Sequence, residues 1–103
     1  MTNGIVTNSA AKGAILIEHE VGLHARPSVK LTKLAKTFAS KISLGLSEDG
    51  PWIDAKSIVK VMAFKAVKGA TLHFRADGED ADAAVAALIA LVRRDFDESR
   101  GDG

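Results

Sequence analysis

The stretch from Ala81 to Phe96 sets the tightest limit on the fold. Its apolar residues Ala81, Val85, Leu88, Ile89, Val92 and Phe96 follow one another at helical steps. Such a stripe is one face of an amphipathic helix, and that face must be covered by something flat and apolar. Short strand-like runs elsewhere supply the cover. Ala14 to His19 (AILIEH) is a brief apolar run, Lys41 to Leu46 (KISLGL) alternates, and Thr71 to Ala76 (TLHFRA) alternates again. Glu48-Asp49-Gly50-Pro51 is a strong turn signal, so Trp52 and Ile53 open a short strand that pairs back as a hairpin.

Two further helical segments lie between these strands. From Ala25 to Phe38 the apolar residues are Pro27, Leu31, Leu34, Ala35 and Phe38, again a stripe. Pro27 suits the first turn, where its missing N–H leaves nothing unpaired. Residues 58–64 (IVKVMAF) form a short helix with Ser57 as its N-cap. Asp77 is expected to cap the last helix, with acids in its first turn and Arg93 and Arg94 at its end. The order is β-α-β-β-α-β-α. Polar alternate positions on the strands and single-faced helices predict a two-layer α+β domain: an antiparallel sheet covered on one face and wet on the other.

The chain has 103 residues, a length suited to one small domain. We expect the domain over residues 13–97, with flexible tails at 1–12 and 98–103, because neither end shows any period. The 14 basic and 13 acidic residues leave a charge of only +1. That balance, with one tryptophan and no aromatic platform, argues against a nucleic-acid binder. The absence of cysteine excludes disulfides and thiolate chemistry. No apolar run approaches the roughly 20 residues that span a membrane, and no secretory signal opens the chain. A cytoplasmic monomer is expected.

The chemistry concentrates in Gly22-Leu23-His24-Ala25-Arg26-Pro27, where the first strand hands over to the first helix. A helix N-terminus offers unpaired N–H groups and partial positive charge, so it welcomes an anion. The same field opposes protonation of a neighbouring imidazole and keeps His24 neutral and nucleophilic. Arg26 adds a planar cation suited to phosphate oxygens. One loop thus combines a nucleophile, an anion cradle at Ala25 and Arg26, and a charge clamp, the parts that phosphoryl transfer requires. Residue types alone leave open that His24 is an ordinary loop histidine and Arg26 a solvated charge.

GLHARP, followed by AKSI, KG and GEDADAAVAALIALV in that order, resembles the histidine-containing phosphocarrier family, HPr, of the bacterial phosphotransferase system. The likeness runs from about Gly13 to Asp97. It implies an open-faced β-sandwich, a four-stranded antiparallel sheet with three helices on one face. It implies a carrier rather than an enzyme, without cofactor or bound metal. On this resemblance His24 takes a phosphoryl group on Nδ1 from phosphoenolpyruvate by way of enzyme I, and passes it to an EIIA protein or domain for sugar uptake or its regulation, with Arg26 assisting. Ser57 matches a serine that HPr kinase/phosphorylase modifies in many Firmicutes; a helix cap alone also explains it. Ile58, Val59 and Met62 match a partner-docking patch, to which we add Lys30 as a steering charge. Val61 is expected in the core.

Three departures from the family stand out. Lys65 occupies a position where many members have glycine, and would be mildly strained if φ there is positive. The stretch near Ser47 to Pro51 is slightly longer than usual, and so is the N-terminal tail. His19 and His73 fit no metal-ligand spacing with His24 and are read as structural or surface residues. Arg100-Gly101-Asp102 is a chance tripeptide in a tail. Two other functions compete with the sugar-transport carrier. One is a regulatory paralogue of the nitrogen-related phosphotransferase branch. The other is an interaction module in which His24 is incidental.

Overall fold

The computed structural model describes residues 10–18, 25–94 and 96. Seven elements follow in the expected order: β1 (Ala10–Leu16), α1 (Ala25–Lys36), β2 (Lys41–Gly45), β3 (Ile53–Asp54), α2 (Ile58–Phe64), β4 (Thr71–Asp77) and α3 (Ala81–Arg93). The four strands form one antiparallel sheet in the order β1-β4-β2-β3. β4 is an interior strand that pairs with β1 on one side and β2 on the other. Its Ala76 faces Ala11 on one side and Ile42 on the other, and its Phe74 faces Gly13 and Leu44.

Alternation decides which side chains the sheet buries. Leu72, Phe74 and Ala76 of β4 and Ile42 and Leu44 of β2 are buried on one face. That face meets Leu31 and Ala35 of α1, Val61 of α2, and Ala81, Ala84, Val85, Leu88, Leu91 and Val92 of α3. The apolar stripe of the last helix is therefore the lid of the core, and burying it is the main stabilising term of the fold. Gly13 lets α3 settle closely on β1: a Cβ there would stand 2.6 Å from Ile89 Cδ1 and 2.9 Å from Val85 Cγ1.

The start of β1 and the cap of α3 differ from expectation for tertiary reasons. β1 begins at Ala10 rather than Ala14, so residues 10–12, read as tail, lie in the sheet opposite Asp77, Ala76 and Arg75. Ala-Ala-Lys-Gly has no strand signal of its own, and β4 supplies the register. β1 ends at Leu16, and the expected end at His19 lies outside the described residues. Asp77 is the last residue of β4 and not a cap; Asp80 holds the N-cap position of α3.

Asp80 does more than its position suggests. Its side chain makes no cap hydrogen bond to its own helix. Instead the carboxylate accepts from Ala39 N at 2.8 Å, from Ser40 N at 2.9 Å and from the Ser40 hydroxyl. It ties the start of α3 to the turn that follows α1. These bonds, the Ser40 hydroxyl first, hold its pKa below the ordinary carboxylate value. Gly78 has φ of 147°, and a Cβ there would run into Ser40. Only glycine lets the two segments approach this closely.

The other face of the sheet is open but partly roofed. The segment from Leu46 to Trp52 folds back so that the Trp52 ring lies over the Arg75 guanidinium, 4.4 Å from cation to centroid. Gly45 makes room for this: a Cβ there would stand 2.9 Å from the Pro51 carbonyl and 3.4 Å from Trp52 Cε3. The stretch read as slightly long is this roof. His73, expected to be structural or on the surface, lies on the same open face and is half-buried.

Candidate functional site

His24 and residues 19–23 lie outside the described residues. The structure describes the chain again from Ala25. α1 opens at that residue, directly after His24 in the sequence, and runs for 12 residues. Ala25 and Arg26 are both exposed on the first turn described. Pro27 is fully buried and Leu31 below it is in the core, which anchors this turn against the sheet layer. Lys30, one turn further on, is half-buried.

α2 packs beside α1 and begins with a well-defined cap. Ser57 has extended φ and ψ of −101° and 112°, and its hydroxyl accepts from Lys60 N at 3.3 Å. The Ser57 carbonyl takes the first helical bond, from Val61 N at 2.9 Å. The approach to the cap is braced: Asp54 Oδ1 accepts from Lys56 N at 2.9 Å, and Ala55 N donates to Ile42 O at 3.0 Å. Lys56 Nζ donates to the Phe38 carbonyl at 2.7 Å, linking this approach to the end of the α1 segment.

The exposed residues of α2 divide as the sequence reading predicts. Val61 is buried, while Val59 is 75% exposed and Met62 42% exposed. Ile58 is half-buried. Val67, in the loop after the helix, is 61% exposed and extends the apolar surface. Sequence reasoning did not single it out; its signal was an apolar residue flanked by Lys65-Ala66 and Lys68 rather than by core positions. Lys65 ends the helix with φ of 55° and ψ of 41°, the left-handed conformation its position raised as a concern. Crowding of its Cβ there disfavours any L-residue by roughly 1–2 kcal/mol.

Among the described residues no group of three His, Asp or Glu side chains is placed to hold a metal ion, and no helix is long and apolar enough to cross a membrane. Beside α1, α2 presents exposed apolar side chains. These suit a transient protein contact.

Comparison with known proteins agrees with this. Residues 11–94 match the family model described as the PTS HPr component phosphorylation site. The chain is 44% identical over 82 residues to the phosphocarrier protein HPr of Cupriavidus necator, covering 80% of this chain and 90% of that one. It is 32% identical over 87 residues to the phosphocarrier protein NPr of Escherichia coli K12, covering 84% and 96%. Among solved structures it resembles HPr-C-His from Thermoanaerobacter tengcongensis with a TM-score of 0.79 and 31% identity, over 87% of this chain and 99% of that one. The sheet order and these matches have one meaning: the chain belongs to the HPr family of phosphocarrier proteins of the phosphotransferase system.

Proposed function

We propose that His24 is the carrier residue. A phosphoryl group that originates in phosphoenolpyruvate arrives on phosphorylated enzyme I and moves to Nδ1 of His24. As the bond from phosphorus to Nδ1 forms, the bond from phosphorus to the donor breaks; the transfer to an EIIA protein or domain repeats this with His24 as donor. The observation that carries the reading is the start of α1 at Ala25, directly behind His24, with Arg26 exposed on its first turn. Backbone donors and guanidinium stabilise the oxygens of the moving group. The same partial positive charge disfavours the imidazolium and keeps a lone pair available.

Partners dock on Ile58, Val59 and Met62, with Lys30 contributing charge. Phosphate on Ser57 would replace a neutral cap by about two negative charges at the edge of that surface. It would weaken docking while the helix N-terminus tolerates the anion. HPr kinase/phosphorylase is the modifying enzyme in this reading.

The test is incubation with phosphoenolpyruvate, magnesium and enzyme I, followed by intact mass spectrometry beside a His24→Ala control. One acid-labile phosphoryl group, absent from the control, is expected. A wild-type chain that gains none from a cognate enzyme I would leave an interaction module in which His24 is incidental. The likeness to NPr supports a second reading, a regulatory paralogue acting through its phosphorylation state. The two part at the next step: delivery to a sugar-transporting EIIA or to a regulatory one.

A further inference from the structure

We infer that Lys65 is a partner-specificity residue, retained at the end of α2 for its charge, which favours docking on an acidic protein face; this rests on the carrier reading above. The starting point is a contrast within one turn. Gly69 has φ of 94°, and a Cβ there would meet nothing within 4 Å. Lys65 has φ of 55°, equally left-handed, and is a lysine. The chain uses the residue that takes such a conformation freely at one site, and at the other accepts the crowding of a side chain.

The surroundings say what the side chain is for. Residues 25–40 and 55–70, which carry α1 and α2, hold eight cations: Arg26, Lys30, Lys33, Lys36, Lys56, Lys60, Lys65 and Lys68. They hold no aspartate or glutamate, although the chain has 13. With 14 basic residues in total, this is segregation of charge rather than excess. Val59, Met62 and Val67 supply exposed apolar contact on and just after α2, and exposed Lys65 lies between the last two along the chain. An acidic partner face with an apolar centre complements such a surface, and a like-charged one is repelled. A lysine at a helix C-terminus also interacts favourably with the helix dipole. That local role predicts an effect on stability alone and none on recognition.

The experiment measures the KM and kcat of enzyme I for this carrier as substrate, with phosphoenolpyruvate, at low and high salt. The variants are Lys65→Gly, Lys65→Gln, Lys65→Glu and Lys65→Arg. Lys65→Gly is expected to raise Tm and yet raise KM about threefold at low salt, with Lys65→Gln matching its KM but not its gain in Tm. Lys65→Glu should raise KM about tenfold, and Lys65→Arg should restore the wild-type value. kcat stays constant, and the differences shrink at high salt as screening removes the attraction. Wild-type KM for Lys65→Gly and Lys65→Gln at low salt would overturn the inference and leave the carrier reading intact. A wild-type chain that accepts no phosphate would overturn both.

Discussion

The helices α2 and α3 are built from similar residues to opposite ends. α3 has 13 residues and buries six of them; α2 has seven and buries Val61 alone. The caps differ in the same sense. Ser57 turns inward and serves its own helix, while Asp80 leaves its helix unserved and grips residues 40 positions away in the chain. α3 is thus fastened to the rest of the molecule by its core stripe and by its first residue. α2 is self-contained and keeps its apolar side chains for other surfaces. A domain of this size buries only part of its surface, so each exposed Val or Met is withheld from a limited core.

Substitutions can break this contrast. The largest effect is expected in α3: Leu88→Ala should lower stability by about 2–5 kcal/mol in a denaturant titration, because a fully buried leucine leaves a cavity against β4. Asp80→Asn comes next and is read against pH. The lowered pKa of Asp80 means that its stabilisation is complete above the unfolded value of 3.8 and is lost as pH falls through the lower folded value. The variant should be less stable than wild type at neutral pH, and the two acid-unfolding curves should converge below that value. An unchanged gap at low pH would mean that geometry, not charge, makes this tether. In α2, Ser57→Ala should cost about 1 kcal/mol through the lost cap and leave the core untouched. Met62→Ala should change stability by less than about 0.5 kcal/mol while weakening transfer, which separates surface from core most sharply.

Much of this contrast was legible in the sequence, since both helices are local patterns. The run 58–64 with a serine before it located α2 and its cap to the residue. The stripe from Ala81 located α3, although Phe96 proved to lie beyond the helix, buried at φ of 60°. What could not be read is long-range. Asp77 and Asp80 are indistinguishable as caps until Ser40 arrives beside one of them. Ala10 to Lys12 carry no strand signal, and only the length of β4 recruits them. The turn at Glu48 to Pro51 was visible, but its fold-back onto the open face depends on Gly45 and Arg75 in two different strands. Near the site, the helical stripe from Ala25 was legible as α1, and Ser57 as the cap of α2. The left-handed backbone at Lys65 was foreseeable only because the family resemblance marked the position.

The roof over the open face has a practical consequence. Trp52 is the only tryptophan, and the chain has no tyrosine. Nearly all near-ultraviolet absorption and emission therefore comes from one indole, seated on Arg75 across the sheet from the helical layer. Its spectrum is a built-in optical gauge of whether the 46–52 segment is seated. Because α1 and α2 lie on the opposite side, a partner that docks there should leave the emission maximum in place. A shift on mixing would instead mark an event that reaches through the sheet, so the protein carries its own control for any label-free docking assay.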